Sequence, residues 1–156
     1  MFPKMRRFKQ EISKEKCIEI LKEEPRGVLA LSDIDGYPYA LPINHYYEDG
    51  KLYFHGAKIG TKIELLKKNN KVSFCVMDKG YQKENHWSLM INSVIVFGHI
   101  EFLEDEQEAE AIVRRLAAKY NSNQEEIDDE VQRAKPRLQI LVLHIESMTG
   151  KLVNEA

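Results

Sequence analysis

Two Asp-Gly pairs, Asp35-Gly36 and Asp49-Gly50, punctuate a stretch of the chain that is otherwise rich in β-favouring residues. Asp-Gly supplies the positive φ angles that a two-residue hairpin turn requires, so these pairs commit the stretch to antiparallel strands joined by tight turns. The runs they separate, residues 28–32, 38–47 and 51–56, are predicted as a three-stranded meander. A parallel sheet is disfavoured, because its crossovers need a dozen or more residues.

The remaining segments read as helices placed around further strands. Residues 13–22 carry Cys17, Ile18 and Leu21 on one helical face behind Ser13 as a cap, and the pattern stops before Pro25. Residues 61–69 repeat that logic through Ile63, Leu65 and Leu66, and 72–77 form an apolar strand. After a polar segment at 78–86, residues 87–103 form a long β run in which Gly98 permits a bend or bulge. Helices are predicted at 106–120 and 124–133, and a last strand at 138–145. Six hairpin-joined strands with helices outside the strand order imply a mainly β chain, a six-stranded antiparallel barrel with flanking helices, forming one domain over 1–156.

Charge narrows the functions available. With 23 Lys and Arg against 25 Asp and Glu, the formal net charge is -2, and the acidic residues crowd the two late helices, so nucleic-acid binding is disfavoured. No apolar run approaches the ~20 residues of a membrane helix, and a cytoplasmic protein is expected. Cys17 and Cys75 lack Cys-x-x-Cys spacing and are predicted as reduced core residues. The five histidines show neither His-x-x-x-His nor His-Glu-x-x-His spacing, so no metal site is predicted. Gly-x-Ser-x-Gly, Walker A and Gly-x-Gly-x-x-Gly sequences are also missing, which disfavours serine hydrolase, nucleotide hydrolase and Rossmann chemistry.

Three segments carry chemical possibilities. In FHGAKIGTK a strand ends and a helix begins; Gly56 and Gly60 allow close backbone approach, and Lys58 and Lys62 add cations beside the free N–H groups of the helix start. That junction suits a phosphate monoester, although Thr61 and Glu64 also match a capping box that would need no ligand. In YPYALPINH, Pro42 cannot donate to a ladder and so marks an edge or break, leaving groups of Ile43 and Asn44 for a flat heterocycle. In the run from Trp87, the polar Asn92 and Ser93 interrupt apolar residues and need partners, and Trp87 is a candidate lid over an aromatic ligand.

These strings, taken in order with GVLAL at 27–31, SVIVFGHIEFLED at 93–105 and MTGK at 148–151, resemble the pyridoxamine-phosphate-oxidase-like FMN-binding split barrels, in the branch related to nitroimidazole-resistance proteins. The resemblance implies a homodimer with FMN in two clefts at the subunit boundary. It implies that Leu41, Pro42, Ile43 and Asn44 line the isoalloxazine, that His55 and Gly56 flank the ribityl phosphate, and that Lys58, Gly60, Thr61 and Lys62 hold it. Ser93 and Val94 would reach the ring, Trp87 would border the substrate, and His55 is the first candidate for a catalytic role. Thr61 and Ser93 stand where pyridoxamine phosphate oxidases usually have arginine and glutamine, which weakens the case for vitamin B6 oxidation. The expected activity is electron or hydride transfer through FMN, from a donor such as NAD(P)H to a small acceptor such as a nitroaromatic. A flavin, deazaflavin or haem carrier without turnover is the alternative.

Overall fold

In the computed structural model, which describes residues 1–154, both Asp-Gly pairs turn the chain as their composition dictates. Asp35 and Gly36 have φ of 51° and 88°, and Asp49 and Gly50 have 46° and 77°. The first pair joins β1 (Arg26–Ile34) to β2 (Tyr37–Asn44), and the second joins β3 (Tyr46–Glu48) to β4 (Lys51–Ala57). The expected meander does not form. Its middle run breaks at His45, and β2 and β3 lie at opposite ends of one antiparallel sheet ordered β2-β1-β5-β7-β8-β4-β3. Here β5 is Lys71–Met77, β7 is Leu89–Leu103 and β8 is Leu138–Asn154; a short β6, Tyr81–Gln82, pairs with β7 from within the polar segment.

The break has a visible cause. His45 is fully buried, and α3 (Glu106–Tyr120), not a neighbouring strand, takes up its backbone groups. Its N–H donates to the Tyr120 hydroxyl at 3.0 Å, and its carbonyl accepts from Lys119 Nζ at 2.9 Å. The same ammonium donates to the Glu24 carbonyl at 2.7 Å, and burial pushes its pKa down to about 8. With those groups spent on α3, the chain leaves one sheet edge and re-enters at the other, so the barrel is split rather than closed.

Strand alternation sorts the side chains into two cores. Leu29, Leu31, Leu52, Phe54, Phe74, Val94, Val96, Leu141 and Leu143 fill the barrel, where α1 (Lys14–Glu23) adds Cys17, Ile20 and Leu21 and α2 (Thr61–Lys68) adds Ile63, Leu65 and Leu66. Outside the barrel, Tyr53, Ile140 and Val142 pack under Ile112 and Val113 of α3 and under Ile127 and Val131 of α4 (Gln124–Ala134). Ser13 caps α1 as expected, through a bond from the Lys16 N–H at 3.1 Å. Asp105 and Asn123 cap α3 and α4 in the same way.

Two expectations about single strands need correction. The last strand runs on from the predicted 145 to Asn154, because the long β7 gives it a partner along its whole length. The pairing slips at Phe97/Gly98, as the glycine suggested: a Cβ at Gly98 would lie 2.1 Å from the His144 carbonyl oxygen. Gly98→Ala is therefore expected to destabilise the fold by about 1–3 kcal/mol, read as a lower urea midpoint with unchanged slope. Cys75, predicted as buried, is exposed, since Val72, Phe74 and Val76 alternate with it and take the inward positions.

Candidate functional site

The junction between β4 and α2 is built from glycine and lysine, and the structure removes one of its two sequence readings, the capping box. Gly60 is the N-cap of α2, with φ 129° and no side-chain cap bond. The Thr61–Glu64 capping box does not form, because Thr61 is already the first helical residue and has lost the cap's geometry. The first bond of the helix runs from the Glu64 N–H to the Gly60 carbonyl at 3.1 Å. The N–H groups of Thr61, Lys62 and Ile63 therefore precede the intrahelical ladder and face outward from the helix start.

Lys62 folds back over this corner. A Cβ placed on Gly56 would sit 2.6 Å from Lys62 Nζ, so a side chain at this position would push the ammonium aside. The Lys62 ammonium has no hydrogen-bond or ion-pair partner among the described residues, and its partial burial lowers its pKa from the ordinary lysine value. A half-buried cation beside open N–H donors is the donor set that a phosphate would satisfy.

Strand alternation separates the other predicted residues from this corner. Leu52, Phe54 and Gly56 lie on the barrel side of β4, whereas Tyr53 and His55 lie on the side facing α3 and α4. His55 lines a cleft of about 190 Å³ with Asn44, Tyr120 and Glu130 over an apolar floor that includes Leu116 and Val131. Its pKa is lowered, first by desolvation; Glu130 opposes that shift and Lys62 adds to it. Lys58 borders a neighbouring cleft of about 660 Å³, also lined by Glu104, Glu106, Glu110 and Lys135. Those carboxylates make the surroundings of Lys58 a poorer phosphate environment than those of Lys62.

β2 is the edge strand that Pro42 predicts, since it pairs with β1 alone. Leu41 and Ile43 pack inward against the barrel core, while Pro42 and Asn44 take the alternate, outward positions. Ser93 is half-buried, opposite Met77 on one side and Lys151 on the other. Val94 is fully buried in the barrel, on a strand paired on both sides. Asn92 donates from its side-chain amide to Asp78 at 2.8 Å, which supplies the partner its position demanded. Trp87 precedes β7 and is 77% exposed. Among the described residues, no group of three or more His, Cys, Asp or Glu side chains is placed to hold a metal ion, and no helix is long and apolar enough to cross a membrane.

A family model described as pyridoxamine 5'-phosphate oxidase matches residues 13–152. The chain belongs to this family. A candidate 5-nitroimidazole antibiotic resistance protein from Bacteroides thetaiotaomicron is 25% identical, with a TM-score of 0.81 over 92% of this chain and 87% of that one. An FAD-binding protein from Mesorhizobium loti superposes at TM-score 0.68 and 23% identity, covering 92% and 97% of the two chains. A FAD and haem binding protein from Mycobacterium smegmatis gives 0.71 and 21%, covering 95% and 74%. These last two likenesses establish shared fold. Comparison with curated proteins finds no match.

Within this pyridoxamine 5'-phosphate oxidase family fold, two features escaped the sequence reading. Glu130 faces the same cleft as His55, and nothing in the spacing of α4 singles it out from its acidic neighbours. The second is a row on the outer sheet face in which Val28, Cys75 and Ile95 are cross-strand neighbours, with Met77 beside them. Val28, Met77 and Ile95 are 43%, 66% and 41% exposed. The alternation of β5 already forecast that Cys75 and Met77 share one face, but not which face is left uncovered.

Proposed function

We propose that this chain is a flavoprotein that binds FMN through the β4–α2 corner and passes electrons or hydride to a small acceptor such as a nitroaromatic. The observation that carries this reading is the side-chain-free cap at Gly60 beside the half-buried, unpaired Lys62 ammonium over Gly56. Gly56, Gly60, Thr61 and Lys62 would hold the phosphate, with charge-assisted bonds stronger than neutral ones. β2 pairs on one side only, so its free edge offers alternate backbone groups of the stretch from Leu41 to Asn44 to a flat heterocycle. When bound, the flavin supplies the electron-accepting chemistry, and the chain supplies position and electrostatics. His55 lies on the other side of β4 as an imidazole biased to its neutral form, and it borders the acceptor's space instead of the phosphate. Flavin-binding neighbours and the 5-nitroimidazole resistance neighbour support the assignment.

The exposed row of Val28, Met77 and Ile95 supports a homodimer, since an apolar sheet face beside a free edge gains by being covered. The flavin cleft would then lie at the subunit boundary. Lys62→Ala is expected to weaken FMN binding by about 1.5–3 kcal/mol while leaving riboflavin affinity nearly unchanged. Fluorescence titration with both flavins checks it, and equal losses for the two would remove the phosphate contact. Anaerobic reduction of the flavin-loaded protein by NADH or NADPH, then reoxidation by a nitroaromatic, tests turnover. Bound flavin that no donor reduces would favour a carrier, and a copurified haem band would favour haem as the native group.

A further inference from the structure

We propose that His99 and His144 form a surface site for one imidazole-seeking divalent ion, such as Zn²⁺, Cu²⁺ or Ni²⁺. His99 of β7 and His144 of β8 are direct cross-strand partners, just beyond the register slip at Gly98. Their rings stack with centroids 5.0 Å apart and planes 16° from parallel. His99 Nδ1 lies 2.7 Å from Glu146 Oε1, and His144 Nε2 lies 2.6 Å from Glu101 Oε2. A carboxylate accepts and cannot donate, so each of these ring nitrogens carries the N–H. In the neutral imidazoles, His99 Nε2 and His144 Nδ1 are then left as lone-pair donors, and among the described residues neither has a hydrogen-bond partner.

An imidazole whose second nitrogen donates to a carboxylate is the arrangement that orients metal-binding histidines. Directly opposed positions in an antiparallel pair hold their Cβ atoms roughly 4.5–5.5 Å apart. One ion with metal–nitrogen bonds of about 2.0–2.1 Å can span that gap. The rings must turn from their stacked pose to converge on it. Both side chains are partly exposed, at 41% and 30%, so that rotation is open to them and water can complete the coordination. Lys71 lies opposite His99, and Lys51 lies opposite His144, in the same cross-strand row. The carboxylates of Glu101 and Glu146 offset these two ammoniums, leaving no net positive charge against an incoming cation. With only two protein ligands the site is exchangeable, and its nitrogen donors exclude Mg²⁺ and Ca²⁺.

Calorimetric titration of tag-free, chelator-treated full-length protein with ZnCl₂ at pH 7.5 tests the assignment. One ion per chain is expected, with affinity lost at least tenfold in His99→Gln and in His144→Gln, and retained in His86→Ala. Glu101→Gln and Glu146→Gln should each weaken binding roughly 10–100-fold. The imidazole NMR signals displaced by zinc should be those of His99 and His144. Absence of zinc binding up to millimolar concentration, or binding that survives either His→Gln change, overturns the site. Full affinity in both Glu→Gln variants overturns the orienting role of the carboxylates.

Discussion

Phe74→Ala is expected to cost about 3–5 kcal/mol of unfolding free energy, the range for emptying an aromatic site in a packed core. The ring is fully buried on β5, the strand that links β1 to β7. It meets Phe54 edge-on at 5.1 Å and His45 at 5.0 Å, so it joins the two hairpins to the chain crossing between them. A Cβ on Gly27 would reach within 2.6 Å of it, which shows how little room surrounds the ring. Against a typical total of roughly 5–15 kcal/mol, such a loss brings the variant close to its unfolding threshold. Phe74→Leu, which keeps more of the volume, should lose less. Urea unfolding of both variants checks this, and a change below ~1 kcal/mol for Phe74→Ala would mean that the barrel interior is not packed through this ring.

Acid should weaken the fold through His45. Its pKa is lowered from 6.5 to about 4, chiefly by desolvation, with a further push from Lys119 and an opposing bond to the Leu21 carbonyl. A histidine whose folded pKa lies below its unfolded value stays neutral in the native state while the unfolded chain takes up a proton. Stability from this group is therefore complete above about pH 6.5 and is lost progressively as pH falls towards about 4. Over that window the loss is about 3 kcal/mol. Carboxylates titrate in part of the same range, so the measurement is the difference between wild type and His45→Gln in unfolding free energy at several pH values. A wild-type curve parallel to that of the variant would show that His45 is not held neutral. The Nδ1 atom has no partner among the described residues, so nothing at that atom favours the protonated form.

Much of the architecture was legible because local rules carried it. The Asp-Gly turns, the caps at Ser13 and the bend at Gly98 each depend on one or two residues, and each stands where the chain placed it. The helices predicted at 106–120 and 124–133 from apolar spacing are found at Glu106–Tyr120 and Gln124–Ala134. The meander failed because pairing between distant strands is not a local property: 38–47 looks continuous until Lys119 and Tyr120, some seventy-five positions away, claim the backbone of His45. The end of β8 was missed for a related reason, since residues 146–154 become a strand only because β7 lies beside them.

The candidate site divides along the same line. Amino-acid order placed glycines, lysines and a helix start together in one short segment, and that proximity along the chain is what makes the β4–α2 corner recognisable without coordinates. It also supplied the ordered strings that mark the family. Only the tertiary structure set Lys62 over Gly56, turned His55 to the other side of β4 towards Glu130, and paired His99 with His144 across two strands. The physical reason is the two-residue period of a β-strand: neighbours such as His55 and Gly56 point to opposite faces, while residues far apart in the chain are brought side by side by the ladder.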